Sequence, residues 1–233
     1  MIGILVTIAL ALLPVFILLA YFWHKDRGEK EPLPLLRKVF FWGVLVIIPV
    51  AGVEIFLDSA IDSIWTEPPL WYWLIMPFLF VALPEEFAKF LVVKKVAYDH
   101  SKFNEIMDGI TYCIVASMGF AAFENINYTF QYGIGTGILR AFTAVPAHAL
   151  FSGIMGYYIG VAKFTKKPED VKKLMRRGLF AGVFFHGLYD FLLMSGLTYL
   201  ILLVFPLLFY MWAQLHHAIR LANAKKADGL DYF

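Results

Sequence analysis

The chain has 233 residues, of which 61% are hydrophobic and only 16% are charged. Its apolar residues come in blocks of about 20, which is typical of an integral membrane protein and excludes an ordinary soluble domain. The net charge of +2 is too small to indicate a nucleic-acid partner. The single cysteine, Cys113, excludes an intrachain disulfide and a cysteine zinc framework.

The apolar blocks predict an all-α fold, a polytopic transmembrane helix bundle of about seven helices. The bundle is expected to form a single integral membrane domain, 1–233. In such a bundle every backbone polar group is satisfied within its own helix. The predicted spans, in chain order, are Ile2–Trp23, Val39–Leu57, Leu70–Val93, Met107–Phe130, Ile138–Ala162, Leu179–Met194 and Thr198–Ala218.

Positive charge falls in every second loop. The basic segments are His24–Lys38, Lys94–Ile106, Lys163–Arg177 and the tail from Arg220. The loop after the second span instead carries acidic residues, namely Asp58, Asp62 and Glu67. Because basic loops remain in the cytoplasm, this pattern predicts an N-terminus outside and a cytoplasmic C-terminus. Lys89 and Arg140, which lie within or at the end of spans, are the exceptions.

The third predicted span ends in two adjacent glutamates, in the sequence Pro84-Glu85-Glu86-Phe87-Ala88-Lys89. Glu85 and Lys89 are four residues apart and share a helix face, while Glu86 lies about 100° around the helix. One lysine does not neutralise two buried carboxylates. Pro84 is expected to kink the helix just before the pair. A simple salt bridge at the inner membrane edge is the alternative interpretation.

The fourth and fifth predicted spans also carry polar groups. Phe123-Glu124-Asn125-Ile126-Asn127-Tyr128 places Glu124 and Tyr128 on one face, with Asn127 beside them. Arg140 and His148 lie on one stripe of the fifth span. The minimum inference is a polar network inside the bundle. Glycines of the fifth and sixth spans predict close helix packing; they are Gly153, Gly156, Gly160, Gly178 and Gly182.

The sixth predicted span places His186 and Asp190 on one face, so that the carboxylate can orient the imidazole. The candidate catalytic residues then come from four spans, and we expect the bundle to gather them; they are Glu85, Glu86, Glu124, His148 and His186. Helix rise places Glu124 too far outward if its span begins at Met107. Whether Glu124 joins the cluster therefore stays open.

Two carboxylates and two histidines in a membrane cavity suit hydrolysis in two ways. A glutamate can act as general base toward water, or histidines and a glutamate can hold a metal that activates it. Two other functions use the same residues: a proton- or cation-coupled transporter, and a non-catalytic scaffold for other membrane proteins. The sequence has no HExxH motif and no phosphate-binding glycine loop.

These motifs resemble those of the PrsW-type intramembrane proteases, which are related more distantly to the type II CAAX prenyl proteases. Glu85 to Lys89 match the family's EExxK, Phe123 to Tyr128 match its FExxxY, and His148 and His186 follow in later spans. The resemblance covers about 70–195. Four elements in the expected order, each in an apolar helix, are more specific than EExxK alone.

The resemblance implies a peptidase of a prokaryotic plasma membrane that cuts a membrane-anchored protein substrate, such as an anti-sigma factor, within the lipid bilayer. Glu85 or Glu86 would activate water. His148 and His186 would bind a metal, zinc or another divalent ion, or stabilise the transition state, and the metal requirement stays open. Asp190 would orient His186. The supporting residues are Lys89, Tyr128, Asn127, Asp190 and Arg140. The oligomeric state is not indicated.

Overall fold

The computed structural model describes residues 2–66 and 69–227, and within them the chain is helical with no strand. Glu67, expected in an outer loop, lies outside the described residues. The helices are α1 Ile2–Lys25, α2 Leu33–Leu45, α3 Ile47–Ile64, α4 Leu70–Met76, α5 Leu83–Val96, α6 Ile106–Tyr132, α7 Ile134–Phe142, α8 Ala144–Phe164, α9 Pro168–Met194, α10 Thr198–Ile201 and α11 Val204–Ala227. A π-helical stretch, Pro77–Ala82, joins α4 to α5.

The helical membrane bundle predicted from the apolar blocks is confirmed. Within the described residues, five helical stretches are long and apolar enough to cross a membrane, namely Gly3–Lys25, Leu33–Ile64, Ile106–Tyr132, Ile134–Phe164 and Thr198–Ala224. The predicted third and sixth spans are also helical, in α4–α5 and α9. They are less apolar because they carry the charged residues of the candidate site and of its flanks.

Prolines explain the interruptions of the long helices. A proline clashes with the carbonyl four residues before it and has no N–H to donate. The stretch α2–α3 breaks at Val46, three residues before Pro49, and the predicted fifth span breaks at Thr143, three residues before Pro146. The π-helical stretch likewise ends just before Pro84.

Helix α6 forms the centre of the bundle and packs most extensively against α8, then against α2 and α1. The contact with α8 is close because it is built on glycines. A Cβ on Gly156 would lie 2.3 Å from the carbonyl oxygen of Gly109, and one on Gly160 would lie 2.3 Å from that of Ile106. The small-residue packing predicted for Gly156 and Gly160 is therefore present, with α6 as the partner helix.

The outer helices carry large exposed apolar side chains. Phe56 of α3 and Phe209 of α11 are 70% and 75% exposed. Large apolar side chains are favourable in the hydrocarbon core of a bilayer, so the outward faces of these helices match a lipid environment.

The connection between α1 and α2 carries a buried acidic residue, Glu31. Its carboxylate contacts the hydroxyl of Tyr112 and shares a hydrogen bond with Asp108 at the start of α6. Burial, followed by the hydrogen bond with Asp108, raises the pKa of Glu31 to about 9 from its ordinary value of 4.5. Glu31 is therefore protonated at neutral pH, and its proton links this connection to α6.

We predict that replacing Gly156 with alanine destabilises the protein, because the added methyl group overlaps the backbone of α6. Overpacking of this kind costs about 1–3 kcal/mol. Gly135→Ala is the matched control, since a Cβ there meets nothing within 4 Å. The measurement is the thermal unfolding midpoint of each purified variant in one detergent. Equal midpoints for the two variants would contradict the close contact of α6 and α8.

We also predict that the buried Glu31 makes stability depend on pH. Between about pH 4.5 and pH 9 the folded state binds a proton that the unfolded state has lost. The free energy of unfolding therefore falls as pH rises through this window. Glu31→Gln should flatten this dependence, whereas Glu29→Gln, on the exposed side of the same connection, should not. Unfolding midpoints measured across the window test this, and an unchanged slope in Glu31→Gln would refute it.

Candidate active site

The two adjacent glutamates lie in the first turn of α5, directly after the π-helical stretch. π-helical segments occur often at functional sites, because they shift the register of the side chains that follow. Here the stretch packs against α9. Glu85 and Glu86 are both buried and face the interior of the bundle.

Lys89 lies at the centre of the site and is fully buried. Its Nζ donates to Glu85 Oε2 at 2.9 Å and to Glu86 Oε1 at 2.8 Å, and it lies 3.2 Å from His148 Nδ1. It also lies 4.3 Å from the centre of the Phe120 ring. The predicted pairing of Glu85 with Lys89 is thus one part of a larger arrangement, in which one ammonium group serves both glutamates.

The two glutamates differ in their surroundings. Glu86 accepts hydrogen bonds from Lys89, from Ser152 Oγ at 3.0 Å and from His186 Nδ1 at 3.0 Å, and it has no exposed surface. Glu85 has Lys89 as its hydrogen-bond donor and lines a cavity of about 870 Å³. Glu86 is therefore held in place, whereas Glu85 faces open space.

Both histidines point one ring nitrogen inward and the other toward an outer carboxylate. His148 directs Nδ1 to Lys89, and its Nε2 lies 2.8 Å from Glu124 Oε2. His186 directs Nδ1 to Glu86, and its Nε2 lies 3.2 Å from Asp190 Oδ2. Each imidazole thus lies against a carboxylate, and this includes the predicted contact of Asp190 with His186.

Glu124 joins the cluster, which resolves the question left open by the sequence. It contacts His148, and its Oε2 lies 2.9 Å from Arg140 Nη2. Helices α6 and α8 run antiparallel, with Gly109 against Gly156 and Ile106 against Gly160, and this register brings His148 to the level of Glu124. Arg140 also stacks 4.0 Å from the Tyr128 ring centre. The structure thus brings together all five candidate catalytic residues.

The supporting residues surround this cluster. Asn127 lines the cavity and accepts a hydrogen bond from Gln131 at 2.8 Å. Two further residues belong to the site although their motifs did not mark them: Ser152, which holds Glu86, and Glu54 of α3, which lines the cavity. Glu54 carries the same signal as the others, because it is an acidic residue inside an apolar span.

The donor set fits a divalent metal ion. Glu85, Glu86, His148 and His186 each offer a ligand atom, and these atoms lie within 4.8 Å of one another. Imidazole and carboxylate ligands suit zinc and similar ions. An imidazole whose other nitrogen meets a carboxylate is the usual arrangement around a protein-bound metal. The ammonium group of Lys89 contacts the same carboxylates, so a metal ion and Lys89 would compete for them.

A polytopic helical membrane protein with a carboxylate and histidine cluster beside an internal cavity has the architecture of an intramembrane hydrolase. Residues 31–214 match the model of the PrsW family intramembrane metalloproteases. The chain belongs to this family and is an intramembrane protease, as its motifs predicted. The match extends on both sides of the segment that carries those motifs.

Curated relatives support the same assignment. The chain is 41% identical over 182 residues to the Protease PrsW of Geobacillus kaustophilus (strain HTA426), covering 78% of this chain and 77% of the relative. It is 32% identical over 224 residues to the Protease PrsW of Bacillus subtilis (strain 168), covering 96% of each. The Protease PrsW of Oceanobacillus iheyensis is 34% identical over 212 residues, 90% of this chain and 93% of the relative. No solved structure matches the chain.

We predict that Lys89→Met strongly destabilises the protein, because it leaves two carboxylates buried without their counter-ion. Breaking a buried ion pair from one side costs about 3–5 kcal/mol. Lys102→Met is the matched control: Lys102 pairs with Glu29 at 2.5 Å, but both side chains are about half exposed. Such surface pairs contribute about 0–1 kcal/mol. Thermal unfolding of both variants tests this, and a Lys89→Met midpoint equal to that of Lys102→Met would disprove it.

Proposed function

We propose that the protein cleaves membrane-anchored protein substrates with Glu85 as the general base. The observation that carries this proposal is the difference between the two glutamates. Glu85 lines the cavity where a substrate and water can meet it, whereas Glu86 is enclosed by three donors. A general base has to reach the proton that it removes, so the open carboxylate is the better placed of the two.

The proposed reaction uses one water molecule. Glu85 accepts a proton from water while the water oxygen attacks the carbonyl carbon of the scissile peptide bond. The C–N bond then breaks, and Glu85 returns the proton to the departing amine nitrogen. His186 lies beside the attacking position, since its Nε2 is 3.9 Å from Glu85 Oε2. We infer that its ring N–H stabilises the negative charge that develops on the carbonyl oxygen.

For a metal-dependent form of this reaction, we infer that His148 and His186 are ligands through their inward nitrogens, with a carboxylate oxygen of Glu86 or Glu85. Zinc, or another divalent ion, would supply a water of lowered pKa and would polarise the carbonyl group. Glu124 and Asp190 would then hold the two imidazoles in the ligand orientation. The contacts at the outer nitrogens of both rings support this assignment.

We place the N-terminus outside and the C-terminus in the cytoplasm, from the distribution of basic loops. The bacterial relatives support a multi-pass protein of a prokaryotic membrane, and we propose that this is the plasma membrane. The resemblance of the motifs supports an anti-sigma factor as the substrate.

We predict that Glu85→Gln reduces cleavage by about 100-fold or more, because general-base catalysis contributes about 10²–10⁴-fold. Its unfolding midpoint should remain near that of the wild type, since Lys89 keeps Glu86 as partner. His186→Ala should also lose activity, and Glu86→Gln should lose both activity and thermal stability. The measurement is fragment formation from a panel of single-span membrane proteins, with purified enzyme in lipid nanodiscs.

Glu29→Gln is the control, because this exposed glutamate lies outside the site. Chelator treatment followed by addition of zinc, manganese or cobalt to the same preparation tests the metal requirement. Full activity of Glu85→Gln would overturn the assignment of the base. Absence of any fragment from the wild type across the panel, with ion flux in its place, would favour a transporter.

A further inference from the structure

A further acidic group, Glu54, lines the active-site cavity. Glu54 lies in the middle of α3 and lines the same cavity as Glu85. Glu54 interacts electrostatically with four charged groups of the site, namely Glu85, Glu124, His186 and Lys89. Glu54 and Glu85 therefore border the same space, in which the proposed function places the scissile bond.

One oxygen of the partly buried Glu54 side chain lacks a hydrogen-bond partner. Its Oε1 is buried and has no hydrogen-bond donor among the described residues. Two other buried polar atoms share this lack of a well-formed hydrogen bond, but both have an ion-pair partner: Arg140 Nη2 lies 2.9 Å from Glu124, and Asp190 Oδ2 lies 3.2 Å from His186. Buried carboxylates are normally paired, so Glu54 is the exception that needs an explanation.

The charges that line the cavity point to a cation as the missing partner. Five acidic side chains line it, namely Glu54, Asp58, Glu85, Glu124 and Asp190. The basic side chains that line it with them are Arg140, His148 and His186. Arg140 is already paired with Glu124, and Lys89 and His186 serve Glu85 and Asp190. Glu54 and the more exposed Asp58, one helical turn apart on α3, have no ion-pair partner among the described residues.

The wall that carries Glu54 leaves room for a substrate chain. A Cβ added to Gly52, which also lines the cavity, would meet nothing within 4 Å. Helix α3 packs against the core less extensively than α2 does, and its other faces carry exposed apolar side chains. A peptide segment between α3 and Glu85 would therefore pass directly beside the Glu54 carboxylate.

We propose that Glu54 is a specificity-determining residue that binds a basic side chain, lysine or arginine, of the substrate near the cleaved bond. This inference rests on the proposed function, because it takes the cavity as the place of cleavage. A backbone N–H would satisfy only the hydrogen-bonding capacity of the carboxylate. An ammonium or guanidinium group satisfies that capacity and also neutralises the excess negative charge of the wall.

The test compares single-span substrates that differ at one position, where methionine is replaced by lysine. That position is moved one residue at a time through the segment that flanks the cleaved bond. The value measured is the ratio of kcat/KM for the lysine and methionine substrates within each enzyme, in nanodiscs. For the wild type we expect a ratio of about ten at one position, the size of one charged hydrogen bond.

Glu54→Gln should bring this ratio close to one. Glu54→Lys should reverse the preference, so that a glutamate at the same substrate position is cleaved faster than lysine. Asp62→Asn is the matched control, since Asp62 lies on the same helix but does not line the cavity, and it should keep the wild-type ratio. A purely structural role of Glu54 would not produce this reversal of substrate preference in Glu54→Lys.

Three results would overturn the proposal: a wild-type ratio near one at every position, a preference retained in Glu54→Gln, or an equal loss for all substrates in that variant. The last result would mean that Glu54 supports the fold or the substrate backbone. Because each ratio is taken within one enzyme, these results are independent of the assignment of Glu85 as the base. Activity of Glu85→Gln would contradict that assignment alone.

Discussion

The ammonium group of Lys89 lies between two glutamate carboxylates inside the bundle, at 2.9 and 2.8 Å. Removing one partner of a buried ion pair leaves an uncompensated charge, so the burial of these three side chains is interdependent. The arrangement continues outward through His148 to Glu124 and from there to Arg140. Ionic contacts therefore link α5, α6, α7 and α8, in a setting where the hydrophobic effect does not drive helices together.

These contacts depend on how closely α6 and α8 approach each other. The glycines at Gly109, Gly156 and Gly160 allow backbone to touch backbone, and this fixes the register of the two helices. Ser117 of α6 donates to the carbonyl oxygen of His148 at 2.8 Å, which adds a polar contact at the same interface. Glu124 meets His148 because of this register. The apolar packing of the bundle and the geometry of its polar site are thus set by one interface.

Much of this arrangement could be predicted from the sequence, because charged residues in apolar spans are costly and few. That rule identified Glu85, Glu86, His148 and His186, and Pro84 predicted an interruption just before the two glutamates. Whether Glu124 joins them could not be predicted, because it depends on the register of α6 against α8, which is set by tertiary packing. Glu54 satisfies the same rule, but only the packing of α3 shows which way its side chain points.

The two sides of the cavity are built differently, and α2 and α3 show why. Gly43 of α2 packs against the carbonyl oxygen of Ala116, and Gly119 of α6 packs against that of Phe40, so α2 is held firmly on the core. The chain then breaks at Val46, and α3 continues with weaker attachment to the core. The core side of the cavity holds paired charges, whereas Glu54 and Asp58 on the α3 side have no ion-pair partner in the part of the chain that the structure describes. An intramembrane protease has to admit a peptide chain without disturbing its catalytic groups. The position of Glu54 on the less firmly held wall meets that requirement, because a substrate can bind there while the cluster around Lys89 keeps its contacts.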